Sequence, residues 1–233
     1  MSLVLPRPEL PTLAVAGSSD RFPLRRVFCV GRNYADHARE MGHDPDREPP
    51  FFFCKPTDGV VPCDTAAIAV SVAYPPATQD LHHEVELVVA LAGGGRDIPV
   101  AQALGKVFGY AVGLDLTRRD LQARAKAKGH PWDMGKGFDQ SAPVSALAPA
   151  AAIGHPEAGA VTLTINGQVR QQGNLNQMIW SIPEVIANLS TLVELRPGDL
   201  IFTGTPAGVG PVNRGDRLEG QVEGVGGLTV VFA

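Results

Sequence analysis

The chain is 233 residues long, with a formal net charge of −4, 44% hydrophobic residues and 19% charged ones. That length suits one domain with a small N-terminal appendage, large enough to bury a core without disulfides. The mildly acidic balance gives no electrostatic footprint for nucleic acid or an anionic membrane, and no apolar run reaches the roughly 18 residues of a membrane span. The opening MSLVLPRPELP has no basic stretch followed by an apolar one, so no secretory signal is expected. Cys29, Cys54 and Cys63 show no CxxC spacing, which predicts reduced thiols, a cytoplasmic location and no zinc knuckle.

Residues 1–24 are rich in proline and are expected to form an arm or a lead-in strand, with residues 25–233 as a single domain. Strand-like runs follow at Arg26–Val30, Val85–Leu91, Val107–Leu116, Val161–Ile165, Asp199–Thr203 and Leu228–Phe232, bounded by glycine and proline. Helical patterns are few: Asn33–Met41, the charged Arg118–Lys128, and Ile182–Leu195, which opens on Ser181 as a cap with Pro183 in its first turn. The polar segment after Met41, from Gly42 to Pro50, reads as a mobile flap. Asn166-Gly167 between alternating residues predicts a hairpin with a type I′ turn. Many short strands with few short helices predict a mainly-β sandwich or roll.

The most informative segment is Leu81-His-His-Glu84-Val85-Glu86-Leu87. Residues two apart on a strand share a face, so Glu84 and Glu86 project together, and paired carboxylates repel unless a cation or proton lies between them. A strand with one solvated face is the plainer reading. Asp115, alone among apolar residues, is either a cap for the helix that follows or an inward-pointing ligand. Taken together, Glu84, Glu86 and Asp115 offer three hard oxygens, suited to magnesium, manganese or calcium rather than zinc. His82 falls on the carboxylate face and is read as structural or as a support for the ligands. On the first helix His37 and Glu40 are neighbours at i and i+3, either an ordinary surface pair or a base for water with its carboxylate behind it. Lys136, between two glycines, is by default a surface loop lysine, though its neighbours permit close approach to a ligand. The run Thr203-Gly-Thr-Pro-Ala-Gly-Val-Gly210 lacks a GK[ST] ending and is not a phosphate loop; it can form a site wall to which Thr205 contributes a hydroxyl or N–H.

In this order these segments resemble the fumarylacetoacetate hydrolase family, in its short single-domain branch that handles acylpyruvates. The markers are Gly31-Arg-Asn-Tyr34 with His37 and Glu40, Phe53-Cys-Lys-Pro56, His83-Glu-Val-Glu86, Gly113-Leu-Asp-Leu-Thr117, Lys136-Gly-Phe-Asp139 and the Thr203–Gly210 run, spanning about Val27 to the C-terminus. Met41-Gly-His-Asp-Pro45 and Ile179-Trp-Ser-Ile-Pro183 look most like the fumarylpyruvate hydrolases of gentisate-type aromatic breakdown. The resemblance implies a mixed β-sandwich roll of the family's C-terminal-domain type, a single catalytic domain over residues 25–233, and a cytoplasmic homodimer. It implies Mg2+ or Mn2+ on Glu84, Glu86 and Asp115, and His37 with Glu40 as the water-activating pair on a lid. It further implies Lys136 near the metal, and Arg119, Gln122 and Thr205 around a small anionic 2-oxo acid. The implied reaction is hydrolysis of the C3–C4 bond of a 2,4-dioxo acid such as fumarylpyruvate. A distal carboxylate calls for one more cation, for which Arg32, Arg118, Arg124 and Arg170 are candidates.

Two other readings share these residues. Oxaloacetate decarboxylation also passes through a pyruvate enolate but needs no water at C4. A non-catalytic metal- or ligand-binding module on the same scaffold needs neither the His37–Glu40 pair nor Lys136.

Overall fold

The computed structural model describes residues 3–6, 9–40 and 48–233. The expected mainly-β architecture is present and its strand directions are mixed. An eight-stranded sheet runs in the order Phe51–Lys55, Arg26–Gly31, Asp199–Phe202, Val85–Leu91, Val107–Leu114, Ala142–Ser145, Val60–Cys63, with Ala148–Pro149 pairing beside Val107–Leu114. Asp199–Phe202 lies parallel to Arg26–Gly31, and Ala142–Ser145 parallel to Val60–Cys63, whereas the central pair Val85–Leu91 and Val107–Leu114 is antiparallel. A five-stranded sheet runs Gln168–Asn174, Ala160–Ile165, Arg217–Val222, Gly226–Phe232, Val70–Val72. Thr117–Arg118, Leu81–His83 and Gly210–Pro211 make a third, small sheet at the site described below.

The central strand Val85–Leu91 is buried along its whole length, as a strand covered on both faces must be. Val85, Leu87, Val89 and Leu91 point into the larger core, where they meet Leu163, Leu218, Val230 and Phe232 of the five-stranded sheet. Val88 and Ala90 point the other way, into a second core with Val27, Cys29, Ala111 and Phe202. Burying side chains of this size stabilises the fold by about 1.5–3 kcal/mol each. Leu13 and Phe22 close the second core from the hairpin Thr12–Ala14 and Arg21–Pro23, so part of the proline-rich N-terminal stretch is packed on the body of the molecule.

The Asn166-Gly167 hairpin forms with φ of 51° and 79°, the left-handed pair that a type I′ turn requires. Most boundaries fall within two residues of expectation, and three bear on the site and its surroundings. The strand from Val107 ends at Leu114, because the Asp115 N–H leaves the ladder to donate to Glu84 O and Leu116 N–H goes to Ser141 O. The last helix spans Ile182–Leu192 rather than reaching Leu195. Val193 is extended there, and Leu195 reaches the core by exchanging backbone hydrogen bonds with Gly95. The first helix covers Ala35–Glu40. The flap expected from Gly42 onward falls for the most part at residues 42–47, outside the described residues. No helix among the described residues is long and apolar enough to cross a membrane.

Candidate active site

Strand register brings the three carboxylates together. Glu84 sits in the one-residue break between Leu81–His83 and Val85–Leu91, and Glu86 follows two residues later. Glu86 pairs with Gly113 and Val85 with Leu114, so Asp115 comes opposite Glu84, its N–H donating to Glu84 O at 2.8 Å. Oxygen atoms of the three side chains all lie within 4.8 Å of one another. The residues are 5%, 2% and 1% exposed, which rules out a solvated strand face. The capping alternative for Asp115 also fails, since the helix Arg119–Lys128 begins from Arg118 without a side-chain cap.

Cations surround this cluster unevenly. Lys136 Nζ donates to Glu84 Oε2 at 2.8 Å and to Asp115 Oδ2 at 2.7 Å. It ends the helical turn Asp133–Lys136 and is buried, so the surface-loop reading of this lysine is corrected. Arg119 donates to Glu84 Oε1 at 2.5 Å, to Gln122 Oε1 at 2.7 Å and to His82 Nδ1 at 3.3 Å. His82 thus braces Arg119 and is itself tied to Asp80 at 2.8 Å. Glu86 has no ion-pair partner among the described residues; the Gly204 N–H, turned inward by a φ of 99°, donates to its Oε2 at 2.7 Å.

Proton affinities follow from these contacts. Burial alone would raise the Glu84 carboxyl, but Lys136 and Arg119 outweigh it and hold the group well below the usual carboxylate range. Glu86 moves the other way: burial first, then Asp115 and Glu84, push it well above that range. Asp115 Oδ1 is the second irregularity. Lys55 Nζ stands 2.8 Å from it, off the hydrogen-bonding direction, and Oδ1 is buried without a hydrogen-bond donor. A hard divalent cation would answer both, giving Asp115 Oδ1 a partner besides the Lys55 ammonium and offsetting the repulsion that makes Glu86 hard to ionise; an all-oxygen donor set suits magnesium or manganese.

Lys55 was not among the residues singled out from sequence. It closes the edge strand Phe51–Lys55, is itself buried, and donates to Leu116 O at 3.0 Å and to Lys136 O. The available signal was a lone charge ending an aromatic strand, within the Phe53–Pro56 marker. Gln171 was missed as well. Its side chain donates to Thr205 Oγ1 at 2.8 Å, and its Oε1 accepts from Val85 N–H at 3.1 Å. Nothing local distinguishes it from the other glutamines of its strand.

His37 faces the carboxylates from the first helix. Its Nδ1 lies 3.4 Å from Glu40 Oε2, a loose contact of the kind that tightens in complexes. Glu40 in turn accepts from Gly208 N–H at 3.1 Å, which joins the helix to the glycine-rich run. Asn33 anchors the entry to that helix, donating to Thr203 O at 2.8 Å and to Trp180 O at 2.9 Å. Burial lowers the proton affinity of His37, against the pull of Glu84 and Glu40, so the imidazole is neutral near pH 7.

One pocket is lined by the carboxylate triad, His37, Lys136, Arg119, Gln122, Thr205 and Arg32. Glu40 stands behind His37 rather than on the wall. The Thr205 hydroxyl donates to Val85 O at 2.8 Å while accepting from Gln171, so that hydroxyl is committed to the wall itself. Arg118, Arg124 and Arg170 are not part of the lining.

Ionisable groups packed this densely in a buried pocket mark a site of chemistry, and the molecule is of the enzyme class. Residues 26–233 match the model of the fumarylacetoacetate (FAA) hydrolase C-terminal family, and the chain belongs to that family. It is similar to the crystal structure of fumarylpyruvate hydrolase from Pseudomonas aeruginosa in complex with Mn2+ and pyruvate, with 52% identity, a TM-score of 0.97, and coverage of 100% of this chain and 99% of that one. It is 44% identical to the mitochondrial oxaloacetate tautomerase of Mus musculus over 86% of this chain and 88% of the relative. It is 42% identical to the mitochondrial oxaloacetate decarboxylase of Dictyostelium discoideum over 86% of this chain and 90% of that relative.

Proposed function

We propose that this chain hydrolyses the C3–C4 bond of a 2,4-dioxo acid, with fumarylpyruvate as the substrate that fits best and fumarate and pyruvate as products. The observation that carries the reading is a buried histidine, backed by a carboxylate, in the same pocket as a cluster of three buried carboxylates. Similarity over the whole chain to a fumarylpyruvate hydrolase supports it.

Glu84, Glu86 and Asp115 would hold Mg2+ or Mn2+, which supplies Lewis-acid polarisation of a bound 2-oxo acid. His37 accepts a proton from water as the oxygen attacks C4, and Glu40, held by Gly208, orients the ring and offsets the charge it gains. The C3–C4 bond then breaks, its electron pair passing to the pyruvate fragment as an enolate. Lys136, cationic because Asp115 and Glu84 overcome the effect of burial, sits where it can stabilise that anion. Protonation at C3 completes pyruvate, and the acyl group leaves as fumarate. Arg119 and Gln122 form the adjoining wall; Thr205 contributes its position rather than its hydroxyl.

A second reading, action on oxaloacetate, is favoured by the names of the relatives at 44% and 42% identity. It uses the same carboxylates and Lys136, and in its decarboxylation form it has no need of His37 as a base for water. Residues 25–233 would be the single catalytic domain. We also propose a cytoplasmic homodimer; the free state of all three cysteines supports a reducing compartment, and sedimentation velocity would read the assembly.

The test is ultraviolet decay of the fumarylpyruvate enol with chelator-stripped protein, with and without added Mg2+. Metal-dependent decay giving fumarate and pyruvate in equal amounts is expected. No decay on fumarylpyruvate, with turnover of oxaloacetate, would move the assignment to the second reading.

A further inference from the structure

Of the four lysines and arginines that line the pocket, Lys136 and Arg119 are already engaged, as is Lys55 behind the carboxylates. Lys136 bonds to Glu84 and Asp115, Lys55 to Leu116 O and Lys136 O beside Asp115, and Arg119 to His82, Gln122 and Glu84. Arg32 and Lys126 differ, because neither has a carboxylate partner among the described residues. Their contacts are to rings: Arg32 Cζ lies 5.3 Å from the centroid of Phe51, and Lys126 Nζ lies 5.0 Å from that of Trp132. The two rings meet edge to face at 5.5 Å and 87°. Both cations are therefore carried on one aromatic bracket, and all four side chains line the pocket that holds the carboxylate triad. A ring face attracts a cation without using up its N–H groups, so the donors stay available.

The backbone gives an independent sign. Arg32 has a φ of 57°, a left-handed conformation that a non-glycine residue adopts under constraint from its surroundings. Burial, and next the nearby Arg32, lower the proton affinity of Lys126, so each charge disfavours the other until an anion joins them. Arg118 does not compete for this role, since it stacks 4.4 Å over Phe138 away from the pocket.

We propose that Arg32 and Lys126 together bind the carboxylate at the far end of a dicarboxylic substrate, and so set a preference for acylpyruvates whose acyl chain ends in an anion. This rests on the pocket being the 2,4-dioxo acid site argued above. Binding energy gained at the distal carboxylate, away from the bond that breaks, holds C4 in place for attack.

Lys126→Met and Arg32→Met keep an unbranched apolar stem and remove the charge. Steady-state kinetics on fumarylpyruvate and on acetylpyruvate, which ends in a methyl group, isolate the distal carboxylate. For fumarylpyruvate, kcat/KM should fall about 10- to 100-fold in either variant, mainly through KM, while acetylpyruvate changes by less than about 3-fold. Lys126→Arg should recover most of the loss. Equal losses on the two acids, or no loss on fumarylpyruvate, overturn the proposal. Calorimetric binding of fumarate to chelator-treated protein is the readout free of turnover. Wild-type protein should bind it and Lys126→Met should bind about 10-fold more weakly; an unchanged affinity counts against the assignment. Fumarate binding that depends on Lys126, in a wild type that hydrolyses neither acid, would remove the hydrolase reading and keep the anion site. Equal wild-type efficiency on both acids would do the reverse.

Discussion

His37 has to be free of its proton to take one from water, and its surroundings keep it so. Burial disfavours the imidazolium and outweighs the attraction of Glu84 and Glu40, which places its protonation below the ordinary 6.5. The active form is therefore the deprotonated one, populated above that lowered value and lost as pH falls through it. The acid limb of kcat/KM should have its midpoint below 6.5 and the profile should be level through neutrality. Glu40→Gln removes a group that raises the histidine, so it should move the limb further toward acid; a shift toward alkali would contradict the assignment. His37→Ala should lower kcat by about 100- to 10,000-fold while leaving Mn2+ affinity intact. Titration calorimetry with Mn2+ and single-turnover rates check the two halves separately, and undiminished turnover would remove His37 from the mechanism.

Between residues and molecule lies the strand pair that builds the site. Gly113, the partner of Glu86 across the ladder and two residues before Asp115, has no room for a side chain: a Cβ there would fall 2.5 Å from the Phe202 ring and 2.6 Å from Val88. Gly113→Ala should cost about 1–3 kcal/mol as the core shifts, and weaken Mn2+ binding by disturbing the register of the carboxylates. Urea unfolding and calorimetry would show both, and a variant with wild-type midpoint and affinity would disprove the link. The same pair explains what could be read without the structure. Glu84 and Glu86 are two residues apart, and Asn166-Gly167 is a turn in itself, so short-range rules found them. Asp115 needed the register, since chain alone left cap and ligand both open. Lys55 reaches the carboxylate cluster from an edge strand and Lys126 reaches the pocket from a helix far along the chain, and no period in their own segments marks them. Lys136 looked like a loop lysine because nothing adjacent in sequence supplies its partners, Glu84 and Asp115.

Across the whole molecule, the carboxylate cluster is a liability for folding and an asset for binding. Glu86 is buried beside two other acids and donates no stabilising ion pair, so the metal-free fold carries it most easily in its protonated form. Glu86→Gln has nearly the shape of that protonated acid, and its side-chain oxygen can still accept from Gly204 N–H. The chelator-stripped variant should therefore melt at or above the wild-type temperature, although an acid has been removed from the centre of the protein. Metal should reverse the ranking. A cation present at 100 times its dissociation constant stabilises the native state by about 2.7 kcal/mol, which for a chain of this size is a rise in Tm of roughly 5–10 °C. Wild type should show that rise on addition of Mn2+, and Glu86→Gln should show little of it. Differential scanning calorimetry of both proteins, stripped and then loaded, reads all four values in one experiment. A stripped Glu86→Gln protein that melts well below stripped wild type would mean that Glu86 is held by structural contacts rather than kept for a cation. A full metal-induced rise in the variant would place the ion elsewhere. With the expected crossing, the energetic burden of the cluster is explained by the ligand it is built to hold.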